Sequence, residues 1–406
     1  MHILLIHQVF AALDEAGGTR HHEFARYLAA QGHQVTVITS SVSYLSGNAL
    51  TPPSAPLSRF AGEGTGVRVI HAANYRALHK SFLHRLLFFV SFMASSFWIG
   101  LGVKNVDVVW GTSPPIFQGA TAWALARLKR VPFLFEVRDL WPKFAIAVGV
   151  LKNKVLIRMS LWLERFLYRR ADRVIVNSPA YVDHVRERGA RRVDLVPNGA
   201  DPDMFDPSDP GEAFRTRNGL TDKIVVLYAG AHGMSNDLGV VLEAARQLAD
   251  RPGVRIVFLG DGKEKANLQE QAKRLNLTNV LFLSPVPKTD MPQTLAGTDA
   301  CIAILKPIEE YKTPYPNKVF DYMAAGRPVV LAIDGVIRDV IEAGQCGIFS
   351  PPGDPSALAA AIRSLADNPE RSRRMGLAGR KYLEENFSRA KIAGQLLMIL
   401  EELVLP

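Results

Sequence analysis

Short apolar runs of four to six residues alternate along this chain with longer stretches whose apolar positions recur every three or four residues. Residues 3–6 read as a buried strand. A loop carrying Gly17-Gly18-Thr19-Arg20 follows, then a helix over about 21–31 that Gly32 ends, then a strand over 35–39. Strand, glycine-bearing loop, helix and strand in that order make a βαβ unit. Further apolar runs over 106–110, 133–137 and 173–177 alternate with helical stretches over 119–129 and 155–170. This order predicts a parallel sheet with helices on both faces.

The pattern restarts after the Pro- and Asp-rich stretch 201–207, the expected hinge. Residues 224–229 read as a strand ending in Gly230-Ala231-His232-Gly233, and 255–259 as a strand ending in Gly260-Asp261-Gly262-Lys263. A helix over 237–250 separates them, and strands over 280–283, 300–305 and 328–332 continue the alternation. The prediction is an α/β protein of two doubly wound domains, 1–203 and 204–387, facing each other across a deep cleft. Ligands belong at the carboxyl ends of such strands. The last helix, within 388–406, either completes the first domain or caps the second.

A length of 406 residues suits two domains. The net charge of +9 is uneven: residues 1–200 hold 24 basic against 12 acidic side chains, and residues 201–406 hold 24 against 27. Arg165, Arg169, Arg170, Arg173, Arg186, Arg188, Arg191 and Arg192 carry much of the excess. It reads as a solvated basic face, or as attraction to an anionic membrane or a phosphate-bearing substrate. No recognition motif or aromatic stacking pattern points to nucleic acid. Residues 86–103 carry no charge. They read as a buried helix, or as an interfacial one anchored by Phe82, Phe88, Phe89, Phe92, Phe97 and Trp98 and flanked by Lys80, Arg85 and Lys104. A true span would cut a βαβ unit in two. Cys301 and Cys346 are too few for a disulfide framework or a metal site, and a reducing compartment is expected. The opening residues lack the basic start of a signal peptide.

Residues 315–330, Tyr-Pro-Asn-Lys-Val-Phe-Asp-Tyr-Met-Ala-Ala-Gly-Arg-Pro-Val-Val, bring a cation, a carboxylate and a helix start into one turn. Pro316 suits the first turn of a helix, whose N–H groups are then free to meet an anion. Asn317 and Lys318 stand at that start, and Asp321 lies three residues beyond Lys318 on the same face. A diphosphate with a diol one turn away fits this arrangement, as in a sugar nucleotide. Gly17 and Gly18, and the turns with Gly230, His232, Gly233, Gly260, Gly262 and Lys263, offer backbone N–H groups at sheet edges; each is alternatively only a turn. In the segment 136–142, Asp139 is a candidate base toward an acceptor hydroxyl. Arg138 would hold a phosphate or a carboxylate, or form a structural salt bridge. The turn 197–201, after a short strand over 194–196, reads as structural at the interdomain edge, with ligand contact as the alternative. The dinucleotide spacing G-x-G-x-x-G, a P-loop and a G-x-S-x-G elbow are not in this sequence. No clustered His/Cys ligands call for a metal, and no cofactor is expected.

Together these residues resemble retaining glycosyltransferases of the GT-B architecture, family 4, and within it bacterial O-antigen and capsule enzymes of the fucosaminyltransferase type. The matching pieces are His7-Gln8, Gly17-Gly18, 136–142, 197–201, 230–233, 260–262 and 316–330. The resemblance implies that Asn317-Lys318 hold the donor diphosphate and Asp321 the ribose hydroxyls. The family pattern has two Glu residues eight positions apart; here the second is Asp321 and the first falls at Thr313. The acceptor-side His of many members is replaced by the Arg138-Asp139 region. Implied with it are a UDP-linked amino or deoxy sugar as donor, a lipid-linked or saccharide acceptor in surface polysaccharide synthesis, metal-independent transfer with retention, and a cytoplasmic enzyme peripheral to the inner membrane face. Asp139, Arg138 and Lys318 are the expected catalytic residues. The alternatives are a nucleotide-sugar epimerase and a non-catalytic sugar-nucleotide-binding subunit.

Overall fold

The computed structural model describes residues 1–15, 17–41, 66–75 and 82–405. The chain divides into two compact units. One comprises 1–12, 18–197 and 392–406, the other 13–17 and 198–391.

In the first unit the elements run β1 (His2–Ile6), α1 (Arg20–Ala30), β2 (Gln34–Ser40), β3 (Val67–Ala72), α2 (Phe82–Gly102), β4 (Val108–Ser113), α3 (Phe117–Lys129), β5 (Phe133–Val137), α4 (Lys143–Ala147), α5 (Lys154–Arg170), β6 (Arg173–Val176), α6 (Val182–Glu187) and β7 (Val193–Leu195). The sheet order is β3-β2-β1-β4-β5-β6-β7. Every pairing is parallel. The strand order reverses between β1 and β4, the place where a doubly wound sheet opens its binding crevice. Leu4, Ile6, Val109, Phe133, Phe135 and Val174 are buried in the core. Each such side chain stabilises the fold by about 1.5–3 kcal/mol.

The second unit runs α7 (Glu212–Arg217), β8 (Ile224–Ala229), α8 (Leu238–Gln247), β9 (Val254–Leu259), α9 (Lys265–Arg274), β10 (Val280–Leu283), α10 (Met291–Ala296), β11 (Ala300–Ile304), α11 (Asn317–Ala324), β12 (Val329–Ala332), α12 (Val336–Ala343), β13 (Gly347–Phe349), α13 (Pro355–Ala366) and α14 (Pro369–Asn386). Its parallel sheet is ordered β10-β9-β8-β11-β12-β13, with the reversal between β8 and β11. The final helix, α15 (Arg389–Val404), falls mostly within the first unit. There Glu402 accepts an ion pair from Arg173 at 2.6 Å.

Two strands escaped the hydrophobic pattern. β3 is an edge strand with exposed and half-buried positions, and β13 has only three residues. The uncharged segment 86–103 is the helix α2, but two of its expected membrane anchors are core residues. Phe88 and Phe92 are fully buried, and Phe89 stacks on Phe117 at 5.7 Å. Trp98 remains exposed. Lys80 and the side chains of Phe82 and Arg85 lie outside the described residues. Among the described residues no helix is long and apolar enough to cross a membrane.

Candidate active site

The carboxyl ends of β8 and β9 carry the two glycine turns, and they lie against each other. Gly230 and Gly260 both adopt positive φ, 143° and 145°. A Cβ on Gly260 would lie 1.9 Å from the Gly230 carbonyl oxygen. One on Gly230 would lie 2.7 Å from the ammonium nitrogen of Lys318. No side chain fits between these groups, so glycine is required at both places. The turns are laced by main-chain bonds. Gly230 donates to Leu259 O at 2.9 Å, His232 to Asp261 O at 2.8 Å and Glu264 to His232 O at 2.9 Å. Gly262 N–H is taken by Asp261 Oδ1 at 2.8 Å. The amides of Ala231 and Gly233 donate to no group among the described residues.

Lys318 is the second residue of α11. Pro316 precedes the helix, and no side chain caps its first turn. Val319, Phe320, Tyr322, Met323 and Ala324 bury one face in the core, which leaves the start of the helix for Asn317, exposed, and Lys318. Lys318 is half-buried as a residue, and its ammonium reaches inward to the fully buried Tyr228. That ammonium sits 3.9 Å from the centre of the Tyr228 ring. Tyr228 is fixed there by donating its hydroxyl to Ala231 O at 2.7 Å. Among the described residues Lys318 forms no ion pair. Burial pulls its pKa down to about 7. A desolvated cation without a carboxylate is costly. Here it stands at an uncapped helix N-terminus and against the Gly230 turn, an arrangement that can receive an anion.

Asp321, one turn further, receives an ion pair from Lys288 at 2.5 Å. Lys288 also lies 5.4 Å from the Phe205 ring centre. Nothing in its sequence neighbourhood singled out Lys288, because its contact with Asp321 spans a long stretch of chain. The His232 side chain turns inward. Its ring is fully buried, against Tyr228, Phe258 and Phe282 at 6.0, 6.1 and 6.3 Å. Burial lowers its pKa to about 4, so the ring is neutral at physiological pH. His232 supplies backbone groups that tie the two turns together, and both nitrogens of its ring are without a hydrogen-bond partner among the described residues. Lys263 is exposed. Its neighbour Lys265 turns inward, donating to Gly260 O at 2.7 Å and Leu283 O at 3.1 Å.

In the first unit, the carboxyl end of β5 presents Glu136, Arg138 and Asp139. Glu136 is fully buried and paired with Arg20 at 3.1 Å and His21 at 2.6 Å. Arg20 also donates to the carbonyls of Pro197 and Val196, which ties the chain after β7 to α1. Burial by itself disfavours the Glu136 carboxylate, but His21 and Arg20 outweigh it and hold the group ionised. Burial keeps His21 neutral, donating through Nε2. The His7 ring packs on His21 with centres 3.9 Å apart, and its Nδ1 meets Thr112 Oγ1 at 2.8 Å. Arg20 and His21 were invisible as site residues, since only the fold brings them to Glu136.

Of the alternatives for Arg138, a salt bridge does not form among the described residues. Arg138 instead donates to Pro114 O at 3.2 Å. Asp139 makes no ion pair among the described residues. Burial pushes its carboxyl up to about 6, against the opposing pull of Arg138. It is therefore mostly ionised at neutral pH yet basic enough to accept a proton. Gly17 and Gly18 lie exposed in the loop between β1 and α1.

Comparison with known proteins agrees with this architecture. Residues 16–199 match the family described as glycosyl transferase 4-like domain, and residues 211–382 that described as glycosyl transferases group 1. WcaI of Escherichia coli (strain K12), a glycosyl transferase assigned to colanic acid biosynthesis, is 26% identical over 392 residues, covering 92% of this chain and 93% of its own. Among solved structures, the sucrose-phosphate synthase of Thermosynechococcus elongatus superposes with a TM-score of 0.78 at 19% identity, covering 99% of this chain and 98% of its own. Anabaena HepE in complex with UDP and glucose gives 0.75 at 19%, covering 99% and 100%. The chain belongs to the GT-B glycosyltransferases of family 4.

Proposed function

We propose that this glycosyltransferase moves a sugar, an N-acetylated amino or deoxy sugar, from a UDP-linked donor to a lipid-linked or saccharide acceptor of a bacterial surface polysaccharide. It works at the inner face of the cytoplasmic membrane. The observation that carries the reading is the desolvated, unpaired ammonium of Lys318 at the uncapped start of α11. A diphosphate supplies the missing anion, and Asp321 one turn away suits ribose hydroxyls. The likeness to WcaI supports the polysaccharide setting, and the UDP bound to HepE supports the nucleotide.

Glycosyl transfer passes through an oxocarbenium-like state while charge grows on the departing diphosphate. Lys318, the N-terminus of α11 and the amides of Ala231 and Gly233 stabilise that charge without a divalent metal. Preorganised stabilisation of this kind is usually the largest contribution to catalysis. Asp139 takes the proton of the acceptor hydroxyl, and Arg138 orients the acceptor. Asn317 completes the cradle for the diphosphate, while Gly260 and Gly262, whose N–H groups are already taken, let the two turns pack closely. Retention of configuration follows the family resemblance.

Thermal shift with UDP, GDP, TDP and CMP tests the donor site, since a ligand that binds the folded state raises Tm by mass action. Selective stabilisation by UDP, lost in Lys318→Ala, is expected. Well-folded protein that no nucleotide stabilises would overturn the reading.

A further inference from the structure

The basic excess of the first unit is organised by one helix. On α5, Val155, Met159 and Trp162 are 66, 60 and 63% exposed, and half-buried Phe166 continues their line at helical spacing. Trp162 stacks on Phe166 with centres 5.3 Å apart. Lys154, Arg158, Arg165 and Arg169 occupy the adjoining line of the same helix. The one acidic residue of α5, Glu164, is buried beneath, held by Arg188 at 3.0 Å and His184 at 2.9 Å. A shallow groove of about 800 Å³ runs along this surface, with Arg170 and Arg191 on its margin. Leu167 and Tyr168 seat the opposite side of the helix in the core. Apolar anchors beside a row of cations, with the local carboxylate neutralised from within, complement an anionic lipid surface.

We infer that α5 is the membrane-docking element of this protein, taking acidic phospholipid head groups on its arginine row and setting Trp162 and Met159 among the acyl chains. This deepens the proposed membrane-facing role and rests on that reading. It moves the contact away from α2. Along the exposed stripe of α2, with Leu87, Val90 and Trp98, no cation stands between residues 87 and 102, whereas on α5 the cations run beside the apolar anchors along the whole helix.

Vesicle flotation tests it. The full chain should float with equimolar phosphatidylglycerol and phosphatidylcholine vesicles, stay behind with phosphatidylcholine alone, and be released by high salt. Neutralising Arg158→Gln and Arg165→Gln together should weaken binding on the order of 30-fold, from the contribution of each cation near an anionic surface. Trp162→Ala with Met159→Ala should also reduce it, whereas Trp98→Ala should float like the parent. The UDP-induced rise in Tm, measured in every variant, shows that each is folded. It also separates failure of the docking inference from failure of the donor site. Equal binding to neutral vesicles, α5 variants that float like the parent, or loss of binding through Trp98 instead would overturn the assignment. So would a concentration-dependent dimer abolished by Trp162→Ala, which would give the face to a second copy.

Discussion

Each unit of this glycosyltransferase buries charge at the carboxyl edge of its sheet, and the two do so in opposite ways. In the first, Glu136 is matched from within by Arg20 and His21, and Arg20 is matched again by two carbonyls. In the second, Lys318 has an aromatic face and, among the described residues, no counter-charge. Taking a charge out of water costs several kcal/mol in either setting. Where the partner is internal, the cost is offset on folding and the group is part of the scaffold. Where no partner is built in, the offset waits for a ligand. Burial alone would rank both as functional; the presence or absence of a partner separates them.

The largest effect should come from breaking the internally matched site. Glu136→Gln strands a buried guanidinium and should lower stability by about 3–5 kcal/mol, read as a fall in Tm. Unchanged Tm would mean that Glu136 is not part of the scaffold. Next, Lys318→Met should cut turnover about 10²- to 10³-fold, as loss of a preorganised donor to developing negative charge does, without lowering the Tm of the free protein. The folded-state pKa of Lys318 is about 7, below that of an exposed lysine. Above that pH the unfolded chain therefore holds the extra proton, and stability should rise with pH from about 7 toward the ordinary lysine range, a slope the Met variant lacks. UDP binding carries the reverse sign. A bound diphosphate raises the Lys318 pKa, so affinity should weaken as pH climbs through about 7. Asp139→Asn should then lower turnover about a hundredfold while sparing UDP binding. In the parent, kcat/KM should fall as pH drops below about 6, where Asp139 becomes protonated. The residual activity of the Asp139→Asn variant should lack that acid limb. Full activity in the variant would leave Asp139 a structural residue.

What the sequence disclosed follows from what is local. The alternation of short apolar runs with helical stretches was enough for two parallel sheets, because fully buried strands must be apolar throughout. The exposed edge strand β3 and the three-residue β13 carry too little of that signal. Lys318, Asp321 and the start of α11 were legible because they share one helical turn. Tyr228 under the ammonium and Lys288 on Asp321 were not, since each contact joins residues distant along the chain. His232 shows the converse. Its glycine neighbours suggested an open loop, but the ring packs among Phe258, Phe282 and Tyr228 and burial keeps it neutral. Motif position indicates which residues reach a sheet edge; only packing decides which side chains stay in water there.

Asp321 falls between the two extremes. Its carboxylate already has Lys288 at 2.5 Å, yet it lies on the helix that carries the unmatched Lys318, so it has both an internal partner and a ligand role. Asp321→Asn keeps the shape and removes the charge. If the second carboxylate oxygen accepts from ribose hydroxyls, the variant should bind UDP about tenfold more weakly, the loss of about one charge-assisted hydrogen bond. Inorganic pyrophosphate, which offers a diphosphate and no ribose, should bind the variant as well as it binds the parent, or better, because Lys288 is freed to add its charge. A purely scaffolding Asp321 gives a different result: Tm falls and both ligands weaken together as the start of α11 loosens. Isothermal titration with the two ligands therefore separates recognition of the nucleoside from support of the helix.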